Sequence, residues 1–168
     1  MYKKISLLIC CFWLAMAHAA GQDLVEKLET MGMMDIKEIA PDITVKLMYA
    51  TDDNFTGKVL YRGLERAFMH PQTALMLKKA QQLLKKEHPD YSLIVYDAAR
   101  PMSVQKEMWK LVSGTKNDCF VSNPAKGGGL HNYGLAVDVS IVGADGNPLE
   151  MGSAYDFFGA EARTDNEA

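Results

Sequence analysis

The chain has 168 residues, of which 48% are hydrophobic and 23% are charged, a composition typical of one globular domain rather than a disordered or fibrous protein. Acidic residues outnumber basic ones by 21 to 18, which gives a net charge of -3. This balance argues against a nucleic-acid partner, because binding to a polyanion draws most of its affinity from lysine and arginine.

The beginning of the chain has the pattern of an export signal. Lys3 and Lys4 precede an apolar stretch over 5–17, and the segment 17–19 (Ala-His-Ala) fits a small-x-small cleavage site. The apolar stretch is shorter than the ~20 residues of a membrane span. We therefore expect a signal peptide over 1–19, a mature single domain over 20–168, no stable membrane span and a periplasmic or secreted location.

Hydrophobic periodicity predicts short helices and strands in the first part of the mature chain. Residues 23–31 predict a short helix, and the β-forming segment 43–49 predicts a strand. The clearest helix begins at Pro71 and ends near Glu87, since proline suits a first helical turn and an apolar stripe follows. The apolar run 91–96 then predicts a buried strand.

The same analysis predicts one more helix and one more strand. Ser103 is a candidate N-cap for a helix that ends at Val112, and the segment 113–129 is a loop rich in glycine, asparagine and serine. Residues 135–141 alternate in the manner of a strand with two distinct faces. Because the elements follow no regular βαβ order, we predict an α+β domain with a mostly antiparallel sheet and flanking helices.

The segment 127–138 (GGGLHNYGLAVD) is the most informative part of the sequence. His131 lies in a glycine-rich approach to the last predicted strand, and Asp138 lies on that strand. Val137 and Val139 suit the core, so we expect Asp138 on the opposite face, where a carboxylate is solvated, paired or bound to a metal. Imidazole and carboxylate are both zinc ligands. From spacing alone, a loop histidine and a turn-capping aspartate are the simpler explanation of the pattern.

The full string resembles the His-x-x-Gly-x-Ala-x-Asp motif of the M15 family of zinc peptidases. Three other segments resemble its D-Ala-D-Ala dipeptidase branch, namely 49–57 (YATDDNFTG), 96–101 (YDAARP) and 151–157 (MGSAYDF). The resemblance runs from about residue 40 onward, with the motifs in the order and spacing of the family.

The resemblance implies a function and a role for four residues. His131 and Asp138 would be two of three ligands of a catalytic Zn²⁺, Arg100 would stabilise the oxyanion, and Asp156 would hold the free ammonium of the substrate. The implied reaction is hydrolysis of D-alanyl-D-alanine by metal-activated water, in cell-wall peptide turnover. The implied partner is thus a small peptide, and the oligomeric state is left open.

Structural interpretations compete with two of these roles. In the structural interpretation, Arg100 closes a strand end by pairing with Asp97. In the catalytic interpretation, Asp97 orients Arg100 toward the substrate. Asp156 would instead cap a turn or a helix. Asn132 and Tyr133 either line the site or pack within the loop.

Two features depart from the family pattern. Its members carry a Glu-x-x-His segment that supplies the general base and the third zinc ligand, and these 168 residues contain none. We therefore expect a domain that lacks its C-terminal segment and has little or no peptidase activity, as either a truncated dipeptidase or a pseudoenzyme. His70 and His88 lie at the two ends of a predicted helix and are not substitutes. Gly129 replaces a serine of the family, so a substrate contact is lost or is supplied by Ser122.

Two other functions remain open at this stage. The first is a D,D- or L,D-carboxypeptidase of the same family, which Asp156 argues against because an ammonium anchor excludes longer peptides. The second is a non-catalytic periplasmic module that binds wall peptides, which weak metal binding would favour.

Overall fold

The computed structural model describes residues 23–162, in which short strands alternate with helices. The strands are β1 (Met34–Asp35), β2 (Thr44–Val45), β3 (Phe68–Met69), β4 (Ser92–Asp97) and β5 (Asp138–Val142). The helices are α1 (23–30), α2 (Ile36–Ile39), α3 (Pro71–Glu87) and α4 (Met102–Val112). No helix in this part of the chain is long and apolar enough to cross a membrane. The predicted signal peptide lies outside the described residues.

The larger sheet has β4 at its centre. Strand β2 pairs with β4 in parallel, whereas β5 pairs with it in antiparallel fashion from Ser92↔Val142 to Asp97↔Asp138. The smaller sheet is the antiparallel pair of β1 and β3. The predicted α+β fold with a mostly antiparallel sheet is thus confirmed.

Helix α3 packs against the larger sheet through a buried face that includes one polar residue. Ala74 and Leu77 are buried on this face, and Gln81 lies between the helix and the start of β4. The Gln81 Oε1 atom accepts a hydrogen bond of 2.8 Å from the Leu93 N–H, and its Nε2 donates to the Ser92 hydroxyl. Because a buried amide must be satisfied, this glutamine fixes the helix relative to the strand.

Several predicted boundaries differ from the observed ones. Helix α3 has the predicted bounds, but Ser103 is not an N-cap, since α4 begins at Met102 and has no side-chain cap bond. The strand predicted over 43–49 ends at Val45, and a 3-10 turn follows at Met48–Ala50. The strand predicted over 135–141 begins only at Asp138. Leu47, Met48 and Tyr49 beyond the first strand are buried by tertiary packing, whereas Leu135 before the second strand is exposed and Val137 is only partly buried.

The assignment of the two faces of β5 was wrong. Val139, expected in the core, is 44% exposed, whereas Ser140 and Val142 are buried and share the face of Asp138. The strand does alternate, but Asp138 lies at the end of its inward face rather than on an outward face. Asp138 avoids burial in the core because it is the first residue of the strand.

Candidate metal and substrate site

The polar residues predicted from the sequence meet at one end of β4 and β5. Asp138 begins β5, Arg100 follows the end of β4 by three residues, and His131 lies in the 3-10 turn Leu130–Tyr133. Together with Asp156 they line a pocket of about 230 Å³. The other lining residues are mostly apolar or aromatic: Tyr49, Phe55, Met108, Phe120, Val121, Ser122 and Phe158.

Hydrogen bonds to the main chain of Arg100 hold the turn that carries His131 against the end of β4. The Arg100 N–H donates to the His131 carbonyl at 2.9 Å, and the Asn132 amide donates to the Arg100 carbonyl at 2.9 Å. Gly134 ends the turn with a left-handed φ of 66°, and a Cβ there would lie 2.7 Å from the His70 nitrogen. Glycine is therefore required at this position by both conformation and space.

The imidazole of His131 presents a defined nitrogen to the pocket. Its Nδ1 lies 2.9 Å from the Ala98 carbonyl oxygen, which only accepts, so Nδ1 carries a hydrogen. Its Nε2 lies 3.3 Å from Asp138 Oδ1. Burial opposes the charged imidazole, but the hydrogen bond and charge of Asp138 prevail and raise the pKa of His131. A cation bound between Nε2 and Asp138 would replace the proton that they share, as metal ligation generally does.

Asp97 lies close enough to be a third ligand, but both of its carboxylate oxygens already accept hydrogen bonds. One oxygen or nitrogen from each of Asp97, His131 and Asp138 lies within 4.8 Å of the others. However, Asp97 Oδ1 accepts from the Tyr61 hydroxyl at 2.5 Å, and Oδ2 accepts from Arg100 Nε at 2.9 Å and Nη2 at 2.5 Å. Asp97 also approaches His131 on its Nδ1 side, at 3.6 Å. His131 Nε2 and Asp138 are therefore the pair that fits a metal ion.

Arg100 is held on three sides and keeps one edge toward the pocket. Besides the Asp97 bonds, its Nη1 donates to Gln105 Oε1 at 3.0 Å, and its Cζ lies 5.3 Å from the centre of the Tyr49 ring. Its Nη2 lies 3.9 Å from Asp138 Oδ2. Burial alone would lower the pKa of Arg100, but the Asp97 carboxylate outweighs it and keeps the pKa above its ordinary value. Arg100 thus forms the ion pair at the strand end and still presents an N–H donor to the pocket.

Asp156 occupies the pocket with an unusual backbone and without a cationic partner. Its φ of 59° is the single positive value of a non-glycine residue in the described chain, and aspartate is one of the few residues that tolerate it. Its oxygens accept from the Tyr49 hydroxyl at 2.9 and 3.1 Å and from the Phe55 N–H at 3.2 Å. Burial raises the pKa of Asp156. No lysine or arginine of residues 23–162 forms an ion pair with it.

Four site residues were not found from the sequence. Tyr49 and Tyr61 hold Asp156 and Asp97, Gln105 holds Arg100, and the Tyr155 hydroxyl donates to Asp138 Oδ2 at 3.3 Å. Burial raises the pKa of all three tyrosines, so their hydroxyls remain donors. Gln105 did carry a signal, since it is a polar residue on the apolar face of α4.

The remaining polar candidates have structural roles. Asn132 braces the turn, and Tyr133 is largely exposed and donates to the Gly127 carbonyl; neither lines the pocket. His70 accepts from the Gln72 N–H at the start of α3, and His88 stacks on Tyr91 at its end. These histidines are helix caps, as expected.

Replacement of Asp97 by Ala should destabilise the fold strongly. The change leaves the buried Arg100 guanidinium and the Tyr61 hydroxyl without their shared acceptor, and loss of one partner of a buried ion pair costs about 3–5 kcal/mol. The free energy of unfolding, measured with urea, checks this. The exposed Asp53 is the matched control, and its Ala variant should remain within about 0.5 kcal/mol of the parent. Equal stability of the two variants would contradict the role of Asp97.

Replacement of Asp156 by Asn should increase stability at neutral pH. A pKa raised by folding means that the ionised form is disfavoured in the native state, so the native carboxylate costs stability above that pKa and costs nothing below the ordinary aspartate range. Asparagine keeps one oxygen for the Tyr49 and Phe55 donors and tolerates the positive φ. Thermal unfolding should therefore favour the variant at pH 7, with a difference that shrinks as the pH falls toward about 4. A difference independent of pH would refute this assignment.

Comparison with known proteins agrees with this geometry. The family model described as peptidase M15, D-ala-D-ala dipeptidase, matches residues 29–167. The D-alanyl-D-alanine dipeptidase of Escherichia coli (strain K12) is 30% identical over 128 residues, which are 76% of this chain and 63% of the length of that protein. The match includes the segments that bear Arg100, His131, Asp138 and Asp156. The chain belongs to the M15 peptidase family of D-Ala-D-Ala dipeptidases.

Proposed function

We propose that this chain carries the substrate and metal site of a zinc-dependent dipeptidase that hydrolyses D-alanyl-D-alanine. The observation that carries the proposal is the convergence of His131 Nε2 and Asp138 Oδ1, 3.3 Å apart, beside the Nη2 of Arg100 and in one pocket with Asp156. Family membership supports a hydrolase acting on a peptide, and the arrangement of charges supports the narrower substrate.

The donor set fits a divalent cation that prefers nitrogen and oxygen ligands. The Ala98 carbonyl fixes the tautomer of His131, and the Tyr155 hydroxyl orients Asp138, so both ligands have the outer hydrogen bonds typical of metal sites. When bound, zinc supplies a Lewis acid and a water whose pKa is lowered toward about 7.

Arg100 would stabilise the negative charge that develops on the scissile carbonyl oxygen. Its guanidinium is fixed before substrate arrives by Asp97, Gln105 and Tyr49, so no reorganisation is needed when charge develops. Two of its five N–H groups remain after the three hydrogen bonds to Asp97 and Gln105. The Nη2 atom, 3.9 Å from Asp138, offers one of them next to the metal pair.

Asp156 would bind the free ammonium of a dipeptide. A half-buried carboxylate held by a hydroxyl and an N–H, and by no cation of the described chain, has capacity for a cationic ligand. A longer peptide presents a neutral amide at that place and would leave the charge unpaired. This favours the dipeptidase over the carboxypeptidase alternative. We also propose that the protein acts in the periplasm or outside the cell, in cell-wall peptide turnover, as the export signal over 1–19 suggests.

Zinc should bind at one site that needs both His131 and Asp138. We expect His131→Ala and Asp138→Asn each to weaken zinc binding at least about tenfold, because each removes one of two protein ligands. Isothermal titration calorimetry with zinc alone provides the measurement. His88→Ala, at the end of α3, is the matched control and should bind as the parent does. Unchanged affinity in either site variant would exclude the proposed metal pair.

The pocket should distinguish a free amine from a blocked one. D-Ala-D-Ala should bind at least about tenfold more tightly than its N-acetylated form, since a hydrogen-bonded charge pair is worth about 1.5–3 kcal/mol. Asp156→Asn should abolish most of this preference, whereas the exposed Asp53→Asn should keep it. Equal binding of both ligands by the parent protein would favour a site for longer wall peptides.

The 168-residue polypeptide should release D-alanine slowly even when zinc is present. Its sequence supplies no Glu-x-x-His, and loss of a general base alone costs about 10²–10⁴-fold in rate. The rate should be compared with that of the E. coli dipeptidase under the same conditions. Comparable turnover would show that another group of this chain acts as the base.

A further inference from the structure

A neighbouring side chain occupies the space that a side chain at position 129 would fill. The backbone of Gly129 is extended, with φ -118° and ψ 178°, a conformation open to any residue. A Cβ at this position, however, would lie 2.6 Å from the Ser122 Oγ and 3.1 Å from the Ser122 Cβ. Real Cβ contacts are not as short as 2.6 Å, so a side chain at 129 would displace the Ser122 hydroxyl and press against the Ser122 Cβ.

Hydrogen bonds through Gln105 and Asn132 connect both residues to Arg100, which limits how far the two segments can move apart. The Ser122 carbonyl accepts a hydrogen bond of 2.7 Å from Gln105 Nε2, and Gln105 Oε1 accepts one from Arg100 Nη1. The Gly129 N–H donates to Asn132 Oδ1 at 2.8 Å, and the Asn132 amide donates to the Arg100 carbonyl. Gln105 and Asn132 therefore position Ser122 and Gly129 relative to the same residue, Arg100.

Ser122 is the member of this pair that lines the pocket. Ser122 is exposed and lines the same pocket as Arg100, His131, Asp138 and Asp156. Its hydroxyl has no hydrogen-bond partner within residues 23–162, where the one bond of this residue is through its carbonyl. A hydroxyl with both a free donor and free acceptors is available to a ligand.

We propose that Ser122 is a substrate-binding residue whose hydroxyl takes the place of a side chain at position 129. This inference rests on the proposed function. A dipeptide carries an ammonium at one end and a carboxylate at the other, and Asp156, held by Tyr49 and Phe55, accounts for the ammonium. Ser122 lies in a different segment from Asp156, and its hydroxyl can donate a hydrogen bond. We therefore assign the C-terminal carboxylate of the dipeptide to Ser122.

An exchange of the two residues tests the inference. The four proteins are the parent, Ser122→Gly, Gly129→Ser and the double variant that carries both changes. Two quantities are measured for each: the midpoint of thermal unfolding without ligand, and the affinity for D-Ala-D-Ala by calorimetry in excess zinc. Ser122→Ala removes the hydroxyl without adding backbone freedom, and Ser113→Gly, an exposed residue after α4, is the matched control.

The expected results differ among the variants. Ser122→Gly and Ser122→Ala should bind the dipeptide about tenfold more weakly, since a hydrogen bond to a charged group is lost. Gly129→Ser should unfold at least about 3 °C lower because of the clash. The double variant should recover both the midpoint and most of the affinity, a coupling typical of residues in contact. Ser113→Gly should bind as the parent does.

The possible failures are distinguishable. If the parent does not bind D-Ala-D-Ala, the proposed function and this inference fall together. If the parent binds it and Ser122→Ala binds it equally well, the inference alone falls. If Gly129→Ser unfolds at the parent midpoint, the shared space of the two side chains is refuted.

Discussion

The ion pair between Asp97 and Arg100 is the interaction on which the pocket depends. A buried pair repays the loss of hydration only when its remaining hydrogen-bonding capacity is met, and here Tyr61 completes Asp97 while Gln105 completes one end of Arg100. The backbone of Arg100 meanwhile holds the turn that carries His131. Strand β4, helix α4 and the turn that carries His131 therefore meet at one residue, and the stability of the fold and the shape of the pocket depend on the same contacts.

A bulge in the larger sheet gives the two aspartates their different environments. The pairing of β4 with β5 passes from Val95↔Val139 to Asp97↔Asp138, so Tyr96 is an extra residue on β4. Without the bulge, Tyr96 would pair with Asp138, and Asp97 would lie on the opposite face of the sheet from Asp138. Bulges beside functional sites often redirect a side chain in this way. Here Asp97 is buried behind His131 and Asp138 is open to the pocket, so each nitrogen of the imidazole faces a different carboxylate.

The parts of the site that the residue pattern itself indicated lie within one short segment, whereas Arg100 and Asp156 were predicted through the resemblance to the family. His131 and Asp138 belong to a single turn and strand, and α3 was delimited because its periodicity and its prolines are local signals. Gln105, Tyr61 and Tyr49 act across long separations in sequence, which no pattern along the chain records. The alternation of β5 revealed two faces but not which was buried, because Val139 borders an open groove with Tyr96 and Met151 rather than the core.

The charges of the pocket suit both the metal ion and the zwitterionic dipeptide that we propose for it. Arg100 and Asp97 neutralise each other, so with His131 neutral the pocket keeps two uncompensated carboxylates, Asp138 and Asp156. A divalent cation beside His131 brings the sum to zero, and a dipeptide with both termini charged leaves it there. A peptide blocked at its amino end would add a net negative charge and leave the Asp156 carboxylate desolvated without a cationic partner, which is unfavourable. Charge balance and the aromatic side chains around Asp156 thus both support the short substrate that we propose.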